Sequence, residues 1–251
     1  MSSVMNSRRV VPGGKPIIYP TRDGRPMGET DFHRNLMIQA IQLLMRYYAG
    51  QRVYVSGNIL LYYEEGNKHK HLSPDVLVTK GIAHYEREYY LLWEERVAPQ
   101  FVIEVTSAST KKEDLNKKFQ LYRDVIGVRE YFLFDPLGEY LKPSLQGYRL
   151  RAGEYRPITP LHGRFPSKET GLHLERVGNQ LRFYNPTTKS YLPTAAELEV
   201  EMDEKLEEKD TVIQEKDTVI QEKDTKLAQS AEEIARLRRE LEKLRTLKGG
   251  Q

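Results

Sequence analysis

Three stretches decide the fold: LSPDVLVTK (72–80), FVIEVTSAST (101–110) and KKEDLNKKFQLYRDVIGVREYFLFDP (111–136). Pro74-Asp75 opens the first apolar run, and Glu104 interrupts the second, Phe101-Val102-Ile103-Glu104-Val105. Runs this short, β-branched and unbroken predict strands buried on both faces. Glu130-Tyr131-Phe132-Leu133-Phe134 predicts a third, closed by Asp135-Pro136. A carboxylate buried in such a strand is costly unless it is paired, hydrogen-bonded or holding a cation. Two of them on neighbouring strands have the pattern of a metal site. The segment after Glu104 predicts a helix: Thr110-Lys111-Lys112-Glu113 fits a capping box, and Leu115, Phe119, Tyr122 and Ile126 form one stripe. At about 100° per residue, Lys118 falls roughly 60° off Leu115, at the edge of that stripe, and Lys117 points to solvent.

At 251 residues the chain can hold one large or two small domains, and 39% hydrophobic residues with 16 Tyr suffice for a sizeable core. No apolar run approaches the roughly 20 residues of a membrane span. The start, MSSVMNSRRVVPGGKP, lacks the apolar stretch of a signal peptide. These features predict a soluble, cytoplasmic protein with no membrane partner. The chain has no cysteine, which excludes disulfides and thiolate metal sites. The net charge of +3 hides an asymmetry: residues 1–196 carry 28 Lys+Arg against 20 Asp+Glu, and residues 197–251 carry 11 against 16. A basic body suits an anionic partner such as nucleic acid, although ordinary solubilising charge gives the same excess.

In chain order, residues 1–28 are rich in Pro, Gly and Arg and read as irregular, with a leader over 1–16. Thr30 or Asp31 caps a helix running to about Ala49, with Phe32, Leu36, Ala40, Leu43 and Tyr47 as its buried stripe and Gly50 as its stop. His33, in the first turn, reads by itself as structural. RVYVSGNILLYY (52–63) predicts a strand, a break and a second strand. Lys68-His69-Lys70-His71 reads as a solvated loop rather than a metal or phosphate site. Residues 81–98 read as a mobile connection with some helix, whose aromatics pack over the sheet or stack on bases. Ala152-Gly153 and Gly178-Asn179 each mark a hairpin. His162 and His173 have no partner at ligand spacing.

From about Pro193 the chain turns charged and helical. Glu-Lys-Asp-Thr recurs at 208, 215 and 222 with a period of seven. Leu206, Ile213, Ile220, Leu227, Ile234 and Leu241 keep that spacing as a positions. The d positions are Lys209, Lys216, Lys223 and Ser230, then Leu237 and Leu244, so the seam is half-built early and complete late. A left-handed coiled coil between copies of the chain is expected. A single solvated helix is the alternative.

The order Pro-Asp, a strand bearing Glu followed by Ser-x-Ser-Thr, then Asp-x-x-x-Lys-x-x-x-Tyr and Gly-Val-x-Glu-Tyr-Phe-x-x-Asp-Pro resembles the Uma-two family. That family is named for restriction endonucleases and falls within the PD-(D/E)XK nuclease superfamily. The likeness spans about residues 17–196 and is most specific from Ser73 to Pro136. It implies an α/β fold with a restriction-endonuclease-like mixed central sheet flanked by helices over 17–192, with the coiled-coil tail, 193–251, outside it. It also implies DNA as substrate and a Mg²⁺ (or Mn²⁺) site. Asp75 and Glu104 match the family's metal ligands, and Lys118 its helical lysine. The superfamily's usual lysine position, two after the Glu, is Thr106. His33 matches a family histidine, and Asn58 stands where many relatives are acidic.

Phosphodiester cleavage calls for a hard cation on oxygen ligands, here Asp75, Glu104 and the backbone carbonyl of Val105. A lysine nearby orients the attacking water or neutralises developing charge. Lys111, Lys112 and Lys117 are the other near candidates. Lys111 sits in the first turn, where a cation opposes the helix dipole. Lys118 has Tyr122 one turn later to pack on its stem. The alternative is that Asp75 and Glu104 pair with Lys118 in an internal ion-pair network, in a protein that binds nucleic acid without cutting it or serves only as a scaffold.

Overall fold

The computed structural model describes Tyr19, residues 30–107, Thr110 and residues 113–248, with the side chains of the last helix followed to 241 and at Lys243. The chain divides into two units, Met1–Leu192 and Pro193–Gln251.

The first unit is a mixed α/β body. It opens with α1 (Asp31–Tyr47), β1 (Val53–Ser56), β2 (Leu61–Tyr62), β3 (His71–Leu72) and β4 (Val76–Lys80). There follow β5 (Tyr90–Leu91), α2 (Leu92–Glu95), β6 (Phe101–Val105), two π-helical segments (Glu113–Lys118 and Leu121–Ile126) and β7 (Glu130–Phe134). The hairpin β8 (Leu145–Arg151) and β9 (Glu154–Pro157) leads to β10 (Phe165–Pro166), β11 (His173–Val177), β12 (Gln180–Asn185) and β13 (Ser190–Tyr191). The central sheet has the order β1-β4-β6-β7-β8-β9. Only β6 and β7 run parallel within it, with the two π-helical segments as their crossover. That is why β6 and β7 read as unbroken apolar runs: all five residues of each are buried. Smaller sheets β3-β2-β5 and β10-β11-β12-β13 complete the body.

Apolar side chains fill both faces of the central sheet. Phe101, Ile103 and Val105 of β6 face α1 residues Leu36, Met37, Ala40, Leu43 and Leu44, together with Leu174, Leu181 and Phe183. The alternate residue Val102 faces Tyr122, Ile126, Tyr131 and Leu133. Glu104 shares the parity of Val102, so it enters this second, tyrosine-rich layer beneath the π-helical crossover.

Several expectations need correction. Strand β4 begins at Val76, so Asp75 stands just before the strand rather than in it. The α1 stripe is His33, Leu36, Met37, Ala40, Leu43 and Leu44, whereas Phe32 and Tyr47 are only half-buried. The helix lies between the sheet and β11–β12, and a two-sided contact buries a wider stripe than one i, i+4 row. The crossover winds as π-helix instead of α-helix, which gives one turn more residues than the 3.6 assumed. Residues 81–98 hold a strand and a helical turn, because Tyr90 and Leu91 pair in parallel with β2. Thr110 accepts the amide of Asp114 on its carbonyl and starts the crossover, but Lys111 and Lys112 of the expected capping box lie outside the described residues, as does the leader over 1–16.

The second unit is the helix α3 (Ala195–Lys248). A true capping box starts it: the Glu197 amide donates to Thr194 Oγ1 at 3.2 Å, and the Thr194 amide donates to Glu197 Oε2 at 2.7 Å. Leu206, Ile213, Ile220, Leu227, Ile234 and Leu241 are all exposed on it, 51–73%. The side chain of Leu244, the last d position, lies outside the described residues.

Candidate active site

Strand pairing assembles the site. Val76 faces Ile103 across β4 and β6, so the next step of the antiparallel ladder sets Asp75 against Glu104. The contact is direct at the backbone, where the Val105 amide donates to Asp75 Oδ2 at 2.7 Å. The same oxygen lies 3.5 Å from His33 Nε2. Thr30 caps α1 by accepting the His33 amide, which fixes the first turn and aims the imidazole at the sheet. Just after β1, Gly57 crowds the Asp75 backbone so closely that a Cβ there would lie 2.0 Å from the Asp75 carbonyl oxygen. The neighbouring Asn58 amide donates to Pro74 O at 2.8 Å.

Glu104 is fully buried and held on both oxygens. Lys118 Nζ donates to Oε2 at 2.8 Å and the Tyr122 hydroxyl to Oε1 at 2.6 Å. Lys118 also pairs with Asp114 Oδ1 at 3.1 Å. Asp114, Lys118 and Tyr122 are four residues apart in sequence, and the π-helical crossover presents all three to Glu104 or to each other. Lys118 is 14% exposed and Lys117 63%, as the edge-of-stripe geometry anticipated. Thr106 takes no part: its amide and hydroxyl both donate to Phe134 O.

The electrostatics are those of excess buried negative charge. Burial raises the Glu104 carboxyl well above its ordinary value; Lys118 opposes the rise, and Asp75 and Asp114 add to it. Asp114 is raised as well, by burial first, against the pull of Lys118. Burial acts to lower the Lys118 ammonium, but Glu104, Asp114 and Asp75 outweigh it and hold the group charged. Tyr122 is pushed well up by burial and by Glu104, so it stays a donor. One ammonium thus contacts two buried carboxylates, Glu104 and Asp114, with the Asp75 charge acting on it from farther off.

Among the described residues, no cluster of three or more His, Asp or Glu side chains is spaced as a ready metal cage. The donor chemistry nonetheless fits one class of ion. Mg²⁺ takes oxygen ligands, keeps several waters and needs only one or two carboxylates, the rest being supplied by substrate phosphate.

Residues 19–190 match the model of the Uma-two family, described as "Putative restriction endonuclease". The chain belongs to the Uma-two family. Its tail helix lies outside the matched residues. A crystal structure described as "a putative nuclease" from Anabaena variabilis is also similar, with 16% identity, 65% of this chain and 84% of that chain covered, and a TM-score of 0.43. No curated protein matches the chain.

Of the residues singled out in the sequence, Asp75, Glu104, Lys118, Tyr122, His33 and the Val105 backbone come together. Lys68-His69-Lys70-His71 does not join them: His71 Nδ1 lies 3.0 Å from Lys68 O in a turn of its own, and Lys68, His69 and Lys70 are exposed. His162 is exposed, and His173 sits in β11. Sequence reasoning missed Asp114. Its signal was present in the Asp-x-x-x-Lys-x-x-x-Tyr spacing, but an acidic residue in the first turn of a helix reads as a partner for the dipole rather than as buried. No helix among the described residues is long and apolar enough to cross a membrane.

Proposed function

We propose that this protein is a metal-dependent DNA endonuclease that hydrolyses phosphodiester bonds at Asp75, Glu104 and Lys118. The observation that carries this reading is the convergence of Asp75 and Glu104 at adjoining strand ends, with the Lys118 ammonium 2.8 Å from Glu104. Membership of a family named for restriction endonucleases and the basic charge of the body support DNA as the substrate.

In this reading Asp75 and Glu104, with the Val105 carbonyl, hold Mg²⁺ or Mn²⁺. When bound, such an ion polarises the scissile phosphate and acidifies a water. The Val105 amide and His33 fix the Asp75 carboxylate, and Tyr122 fixes that of Glu104. Lys118, kept charged by its carboxylates, orients the attacking water and offsets the charge developing on phosphate; it does not act as general base.

A second reading draws on the same contact. The Glu104–Lys118 ion pair is what an internal salt-bridge network would contain, in a protein that binds nucleic acid or assembles partners without cleavage. Dependence on a divalent cation separates the two readings, because an internal network needs no metal.

The tail adds a partner. Six a-position residues exposed along one helix, at strict seven-residue spacing, support association with a second copy through a left-handed coiled coil.

The test is cleavage of DNA by purified protein. Activity is expected with Mg²⁺ or Mn²⁺ and not with Ca²⁺ or EDTA. Asp75→Ala and Glu104→Ala should each abolish it with the fold intact by circular dichroism. Equal residual activity in both variants would indicate a contaminating nuclease and defeat the proposal.

A further inference from the structure

We propose that Asp114 is a positioning residue that keeps the Lys118 ammonium at the site when Glu104 is engaged by a divalent cation. The inference rests on the nuclease reading and adds a residue that the reading did not require.

Glu104 has two roles that conflict. Its Oε2 anchors Lys118 and its Oε1 accepts from Tyr122, so both oxygens are committed to donors of the protein itself. A carboxylate that turns to hold a dication gives up much of its attraction for an ammonium, and the cation itself repels the ammonium at short range. Lys118 has a flexible four-carbon stem and keeps 14% side-chain exposure. With Glu104 as its only anchor it would swing out when the metal bound, and the site would lose its cation at the moment of need.

Asp114 resolves the conflict. Its Oδ1 lies 3.1 Å from Lys118 Nζ, on the side of the ammonium supplied by the crossover rather than by β6. The side chain is 1% exposed, so it has no solvent-facing alternative. Its backbone is pinned at both polar groups: the amide donates to Thr110 O at 2.9 Å, and the carbonyl accepts the Tyr131 hydroxyl at 3.1 Å. Tyr131 belongs to β7, the strand paired in parallel with β6, so the Asp114 backbone is referenced to the same sheet that carries Glu104. A buried carboxylate is costly to keep, and among the described residues its ion pair is with Lys118.

The proposal predicts a dependence on metal that a merely structural role would lack. In the full-length protein with ¹⁵N-labelled lysine, the ammonium signal of Lys118 is assigned by its loss in Lys118→Met. In wild type the signal should persist with and without Mg²⁺. In Asp114→Asn it should be present without Mg²⁺, while Glu104 still holds the group, and vanish on saturation. Asp114→Glu, which retains a carboxylate, should keep it. Mg²⁺ affinity by calorimetry should be unchanged in Asp114→Asn, while kcat falls about tenfold or more, the range for removing a group that orients a ligand or catalyst, with KM unchanged. Persistence of the signal in Mg²⁺-saturated Asp114→Asn would overturn the proposal alone. Loss of Mg²⁺ binding in that variant would make Asp114 a ligand and overturn it in another way. Failure of wild type to bind Mg²⁺ at all would remove the nuclease reading and this inference together. Should Asp114→Asn not fold, the double variant Asp114→Asn/Lys118→Met, which removes both buried charges at once, gives the comparison: its rate should equal that of Lys118→Met, and a further loss would show that Asp114 acts other than through Lys118.

Discussion

At the scale of single residues, the site depends on which lysine is buried. Lys118 reaches Glu104 and Asp114, and Lys117, its chain neighbour, reaches Glu113 at 3.1 Å on the exposed face. Lys118→Met should therefore cut the cleavage rate at least about a hundredfold, the lower end for a lost general catalyst, and Lys117→Met should at most weaken DNA binding. Rates measured with Mg²⁺ at saturating DNA decide this, and full activity in Lys118→Met would refute the assignment. A second residue acts through space it leaves empty. A Cβ at Gly57 would meet the Asp75 carbonyl oxygen at 2.0 Å and Ile41 Cδ1 at 2.7 Å. Gly57→Ala must push the Asp75 backbone, so it should cost about 1–3 kcal/mol of stability as overpacking does, and should lower activity more than Lys117→Met. Denaturant titration and cleavage assays of the two variants side by side check both parts.

At the scale of elements, the crossover and the tail carry the burden. The crossover between β6 and β7 winds as two π-helical segments, a geometry whose turns gain a residue and so re-aim side chains. Asp114, Lys118 and Tyr122, spaced four apart, share one side of it. The tail can be tested apart from it. Deleting residues 197–251 removes every a-position residue of the heptad series, so it should lower the oligomeric state measured by light scattering. The thermal transition of the body should move little, because the buried apolar clusters among the described residues are made of body residues. A monomeric full-length protein at micromolar concentration would refute the coiled-coil proposal.

The core of the body is built around tyrosine. Burial raises the phenols of Tyr48, Tyr54, Tyr122, Tyr131 and Tyr155, and pushes Tyr90 up to about 12. Unfolded phenols lose their protons near pH 10. Above that pH the folded state retains protons that the unfolded state has lost, so stability falls as pH rises. The expected outcome is cooperative alkaline unfolding, with phenolate absorbance from these groups appearing together with loss of near-ultraviolet circular dichroism. Gradual ionisation near pH 10 with the signal intact would contradict the burial.

The sequence by itself determined the six strands of the central sheet, the two hairpins and the identity of the main ionisable residues except Asp114. Buried parallel strands must be continuously apolar, so a single Glu within Phe101–Val105 stands out without any coordinates. The Ala152-Gly153 turn was legible because a two-residue hairpin needs positive φ, and both residues have it, at 51° and 80°. Even Lys118 followed from helical direction, although the winding assumed was α. Tertiary structure alone decided the rest. Whether His33 is structural or reaches Asp75 depends on where α1 lies against β4, a long-range packing choice that periodicity cannot encode. Asp114 is buried because Tyr131, seventeen residues later, and Lys118 close over it. A pattern read along one segment reports which face is apolar; only the packing of segments fixes which polar groups are trapped between them, and with what partners.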